Sequence, residues 1–143
     1  MPAGKNSYAR NEKLKSRKAL EQLFSKGNTF LVFPVKVFYT TQNLQSNPTD
    51  HGVHAGVGVS SRNFKKAVQR NTIKRLLREV YRTQKQDLHL TVLKNSLQLQ
   101  AFFLYIGKEM PTHSALQEAM KKTLEKLGDK LEKSTINHNN PFV

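Results

Sequence analysis

Apolar residues recur at Ala19, Leu20, Leu23 and Phe24, so the stretch 16–26 predicts a helix. Ser16 is placed to cap its start and Gly27 to stop it. TFLVFPVKVFYTT, at 29–41, is dense in β-branched and aromatic residues and predicts strand. Pro34 should split it into two short segments or hold it at a sheet edge. Turn formers fill 43–52, which predicts a loop. VHAGVGVS, at 53–60, predicts a second strand, its Gly56 and Gly58 marking a close neighbour or a bend. A helix follows over roughly 64–85, and then 86–100 shows no clean period. QAFFLYIG, at 100–107, predicts a third strand, apolar enough to be buried on both faces. Beyond the break at Met110-Pro111-Thr112, Ser114 with Gln117 forms a capping box. The helix it opens carries Leu116, Met120, Leu124, Leu127 and Leu131 on one stripe, with Gly128 weakening its last turns.

Strand, helix and strand in this order predict one α+β domain over 14–133, a two-layer sandwich of helices on a small mixed sheet. A flexible basic arm over 1–13 and a disordered tail over 134–143 are expected to flank it.

The central helix changes the picture once its residues are projected at about 100° each. Ile73, Leu76, Leu77 and Val80 share an arc that faces a core. Arg70, Asn71, Lys74, Arg75, Arg78 and Arg82 share the opposite side, with Lys66 near their edge. Arg70, Lys74 and Arg78 follow one another at four-residue spacing with no acid between them. Such like-charge pairs cost a few tenths of a kcal/mol each. A polyanion that binds the face more than offsets this, because each neutralised phosphate releases counterions. Asn71 is a weak helix former there, but its amide can donate to and accept from a sugar or base. The reading is a phosphate-docking face, extended by Arg62 and Lys65, with one polar reader.

Composition points the same way. The 143 residues carry 24 Lys and Arg against 10 Asp and Glu, a net charge of +14. An excess of this size favours a polyanionic partner. With 37% hydrophobic residues and no Cys, disulfides, thiolate metal sites and a Cys nucleophile are excluded. No apolar run approaches the ~20 residues of a membrane span, and the N-terminal residues lack a signal-peptide core. A cytoplasmic protein with no membrane and no protein partner is expected. Without Trp, and with branched aliphatics suited to packing on a sheet, the basic helix does not read as membrane-seeking.

Arg70-Asn71-x-x-Lys74-Arg75-x-x-Arg78-Glu79, on a helix after a Gly-containing strand, resembles the RNR signature of the bacterial ribonuclease P protein subunit. LKSRKALEQLFSKG at 14–27 resembles that family's first helix, and VKVFYTT, GVGVS and FFLYIG stand where its strands would. The likeness covers about 14–127. Lys65 stands where the family often has Gly, and Leu20 where it commonly has an aromatic. The resemblance implies a ribosomal-protein-type fold with a left-handed βαβ crossover. It also implies a protein cofactor of a catalytic RNA that removes the 5′ leader of precursor tRNA, with Mg²⁺ held mainly by the RNA. The basic helix would contact that RNA. A cleft lined by Leu20, Phe24, Val37 and Tyr39 would hold the leader. The alternative is a structural ribosomal or assembly protein that binds RNA without a substrate role.

Other chemistry is thin. His51 and His54 have the spacing of a zinc pair, with only Asp50 nearby as a further ligand. The ten acids show no strand-borne cluster of the kind a two-metal nuclease needs. No catalytic residue and no protein-bound metal site is therefore expected.

Overall fold

The computed structural model describes residues 17–43, 52–94 and 97–139. Helix α1 spans Arg17–Lys26, strand β1 Asn28–Val32, β2 Val35–Asn43 and β3 Val53–Val59. Helices α2 (Ala67–Gln84) and α3 (Gln86–Lys94) lead to β4 (Leu97–Tyr105), and α4 spans His113–Asn139. The four strands form one sheet in the order β1-β2-β4-β3. β1–β2 and β2–β4 are antiparallel, whereas β3 runs parallel to β4. A parallel pair needs a crossover, and α2 with α3 supplies it.

Pro34 divides the first strand stretch as expected, because proline has no N–H to give a ladder. It lies with Phe33 in the β1–β2 turn, where the Phe33–Pro34 peptide is cis. Gly27 ends α1, its N–H donating to Leu23 O at 2.9 Å. A Cβ there would collide with that same carbonyl oxygen, so close approach is what requires glycine.

Period two decides the two sides of the sheet. Val35 and Val37 of β2, Leu99, Ala101, Phe103 and Tyr105 of β4, and Val53 and Ala55 of β3 are buried. They form one core with Ile73, Leu77, Val80 and Tyr81 of α2, Leu88 and Val92 of α3 and the whole predicted stripe of α4. Three helices thus cover one face. The short α1 lies on the other, with Phe24 against Phe38 and Phe102.

Four expectations change. The periodless 86–100 contains both α3 and the start of β4. Leu88 and Val92 anchor the short helix in the core, an effect of tertiary packing that local periodicity does not report. β4 is not buried on both faces, since Phe102 and Leu104 are only half-buried beneath α1. The cap of α4 is Thr112, whose Oγ1 accepts from Ala115 N–H at 3.2 Å, in place of the Ser114 box. Finally, α4 continues to Asn139, into the expected tail, because neither Gly nor Pro interrupts the chain between Gly128 and Pro141. The arm 1–13, Ser16 and residues 140–143 lie outside the described residues.

Candidate nucleic-acid interface

Helix α2 forms because its core face is continuous: Ile73, Leu77, Val80 and Tyr81 are fully buried, and Leu76 packs against them half-buried. That burial turns the basic residues outward. Asn71, Arg75 and Arg78 are exposed, while Arg70, Lys74 and Arg82 are half-buried along the flanks. Among the described residues, no carboxylate pairs with Arg70, Lys74, Arg75 or Arg78. The ridge therefore keeps its charge unneutralised. Arg82 departs from this, its Nη2 lying 2.6 Å from Glu79 Oε1. This hydrogen bond also holds the Glu79 carboxyl below its ordinary pKa.

Arg70 departs as well. Its Nη1 donates to Phe64 O and to Lys65 O, each at 2.7 Å. Those carbonyls belong to the loop before α2, which presents exposed Arg62, Lys65 and Lys66. The same loop is fixed to the end of β4. Asn63 Nδ2 donates to Ile106 O at 3.2 Å and Gly107 O at 3.3 Å, and the buried Phe64 ring packs against Tyr105.

On the opposite face of the sheet lies an open groove of about 420 Å³. Phe24, Phe38, Phe102 and Leu104 form its walls and floor, and it crosses the β3 edge at Val57, Gly58 and Val59 to reach Lys74. Phe24 is 47% exposed and meets Phe38 edge-on at 5.0 Å between centroids. Lys36 Nζ stands 5.2 Å from the Phe38 ring centroid, a second cation beside an aromatic surface. Gly58 leaves room for the Phe102 ring, whose Cζ would lie 2.6 Å from an added Cβ. Lys74 thus belongs to both features, so ridge and groove adjoin.

The four residues expected in a cleft are not brought together. Phe24 lines the groove, and Leu20 sits half-buried one turn earlier on the same helix. Val37 is 0% exposed on the core side, and Tyr39 packs on Phe30 there, at 5.8 Å between centroids. Strand parity is the reason: residues 35, 37 and 39 share one face, so the groove receives Phe38 instead. Phe38, Phe102 and Leu104 were missed, although a signal exists. Lys36 and Thr40 share the parity of Phe38, and polar neighbours mark the less buried side of a strand.

Of the His51–His54 pair, His51 lies outside the described residues. Among the described residues, no three His, Asp or Glu side chains gather where they could hold a metal ion. No helix there is long and apolar enough to cross a membrane.

Residues 8–128 match the model of the family described as Ribonuclease P. The chain is 28% identical over 128 residues to a ribonuclease P protein component of Porphyromonas gingivalis, covering 90% of this chain and 91% of that one. It is 29% identical over 129 residues to the ribonuclease P protein component of Chlorobium phaeobacteroides, covering 85% and 88%. Its fold is similar to that of the Staphylococcus aureus RNase P protein, with a TM-score of 0.60 at 20% identity, covering 81% of this chain and 94% of that one. A family model that spans most of the chain, relatives aligned almost end to end and a shared fold agree: the chain belongs to the Ribonuclease P family.

Proposed function

We infer that the protein serves tRNA processing as the protein subunit of ribonuclease P, and that its two adjoining surfaces hold two parts of the RNA assembly. On this reading Lys74, Arg75 and Arg78, with Arg62, Lys65 and Lys66 from the preceding loop, contact phosphates of the catalytic RNA. Asn71 adds one oriented polar contact. The groove takes the single-stranded 5′ leader of precursor tRNA, its bases against Phe24, Phe38 and Phe102. Base–aromatic stacking contributes ~1–3 kcal/mol per base and tolerates any sequence, as a processing factor for many tRNAs requires. A strand leaving the groove meets Lys74, where a backbone phosphate is attracted.

The observation that supports this reading best is the meeting of an unneutralised cationic ridge and an aromatic groove at one residue, Lys74. The RNA would perform the phosphodiester cleavage with Mg²⁺ bound through its own phosphates, and the protein would hold RNA and substrate together. Fixed cations on α2 would replace some diffuse ones and so lower the Mg²⁺ requirement. The arm 1–13 would add further basic contacts.

The test is multiple-turnover cleavage of a precursor tRNA at low Mg²⁺, with the ribonuclease P RNA of the same organism. Wild-type protein should raise the rate. Arg75→Glu with Arg78→Glu should abolish the gain while leaving the melting temperature nearly unchanged, since both side chains are exposed. RNA binding without any rate gain from the wild-type protein would instead support a purely structural RNA-binding role.

A further inference from the structure

We propose that Arg70 is a positioning residue: its guanidinium clamps the loop before α2 in the form that presents Arg62, Lys65 and Lys66, and does not itself contact a phosphate. The proposal rests on the RNA-docking reading of α2.

Three observations carry it. First, Nη1 of Arg70 makes two hydrogen bonds of 2.7 Å, to the carbonyls of Phe64 and Lys65. Bonds this short from a charged donor are the strong kind, and one nitrogen's two hydrogens satisfy two adjacent carbonyls. Second, α2 starts without a side-chain cap, since Lys66 is extended there and its own side chain makes no capping bond. The chain just before the helix therefore lacks the usual local device that fixes its direction. Third, the far half of the loop is already pinned, through Asn63 to the end of β4 and through Phe64 to Tyr105. Arg70 closes the remaining side, and the three basic residues project from a loop held at both ends.

The gain is entropic. Three long cations on a loose loop must be ordered when RNA binds, and that ordering weakens association. A clamped loop has lost this freedom before the encounter. Lys74, Arg75 and Arg78 then supply charge from the helix, and Arg70 supplies geometry. Lysine would keep the charge, but its stem is one atom shorter and its ammonium lacks the in-plane pair of N–H bonds that Nη1 aims at the two carbonyls.

The experiment uses full-length protein and in-vitro-transcribed ribonuclease P RNA, with affinity measured at several salt concentrations for wild type, Arg70→Ala, Arg70→Lys and Arg78→Ala. A residue that touches one phosphate reduces the slope of log affinity against log salt by about 1 when removed. Arg78→Ala should do so. Arg70→Ala and Arg70→Lys should both weaken binding about tenfold, well below their melting temperatures, with the slope unchanged. A reduced slope for Arg70→Ala, together with near-wild-type affinity for Arg70→Lys, would show a direct phosphate contact and overturn the proposal. A second arm needs no RNA. Amide exchange in free Arg70→Ala should accelerate at residues 63–67 and stay unchanged in β4 and α4. Unchanged exchange at 63–67 would overturn the clamp itself, and acceleration everywhere would mean a general loss of stability. If Arg78→Ala leaves binding untouched while the loop exchange behaves as expected, the docking reading of α2 fails and the clamp stands as a feature of the fold alone.

Discussion

The ring of Phe24 on α1 meets that of Phe102 on β4 edge-on, with centroids 5.1 Å apart and planes at 89°. Phe24 is nonetheless among the more exposed large apolar residues of those described, so part of its ring stays open to solvent. The helix therefore offers an aromatic surface at the rim of the groove, and β4 and β2 offer two more in its floor.

Phe38→Ala and Phe102→Ala should each weaken binding of leader-bearing precursor tRNA to the assembled ribonucleoprotein by about tenfold, the order of one lost stack. Binding of mature tRNA should hardly change. Comparison of dissociation constants for substrates with and without a leader checks this, and equal losses for both would remove the leader from the groove.

Val37→Ala should behave in the opposite way. Its side chain is fully buried in the core, and truncating it should lower unfolding free energy by about 2 kcal/mol through lost burial and a residual cavity. Leader discrimination should survive. Urea denaturation, followed by the same pair of binding measurements, separates the two effects.

Gly58→Ala should disturb the groove from beneath. The added methyl meets the tip of the Phe102 ring, which must swing away because the β3–β4 ladder holds the backbone. A stability loss of about 1 kcal/mol and a changed aromatic circular-dichroism band are expected. An unaltered band would mean that the ring does not occupy that space.

Tyr81→Phe should cost about 1 kcal/mol, since the buried hydroxyl lies 3.1 Å from His89 Nε2 and ties α2 to α3. Guanidinium denaturation of the two proteins measures it. No loss would mean that this hydrogen bond does not help to hold the two helices together.

Stability should also fall at alkaline pH through Tyr105. Burial, aided by the charge of Glu109, raises its pKa above the ordinary value of about 10, and its hydroxyl donates to Glu109 O at 2.6 Å. The folded state thus holds the proton more tightly than the unfolded chain does. The contribution is complete below about pH 10 and is lost as pH rises through the folded value. The melting-temperature advantage of wild type over Tyr105→Phe should hold up to about pH 10 and narrow as pH rises beyond it, and a constant gap would contradict the shift.

Much of the protein can be read from residue order alone, and for a local reason. The stripes Ile73–Leu77–Val80 and Leu116–Leu131 follow from helical period, the division of the first strand stretch from Pro34, and the end of α1 from Gly27. The outward turn of Asn71, Arg75 and Arg78 follows from the same period, because apolar burial on one side leaves the other side no alternative. Residues 86–100 were illegible because Leu88 and Val92 are held by partners distant in sequence, which no local pattern encodes.

Tertiary structure alone decided three matters. It set which face of the sheet α1 covers, and with that the choice of Phe38 and Phe102 over Val37 and Tyr39 as its partners. It brought Lys74 to the β3 edge, joining ridge to groove. It also bent the Arg70 side chain back to two backbone carbonyls, giving a role other than its place on the wheel suggested. Helical and strand periods state which residues share a side, but not what lies on that side. Contacts between segments far apart in the chain supply that information, and they exist only once the sheet has assembled.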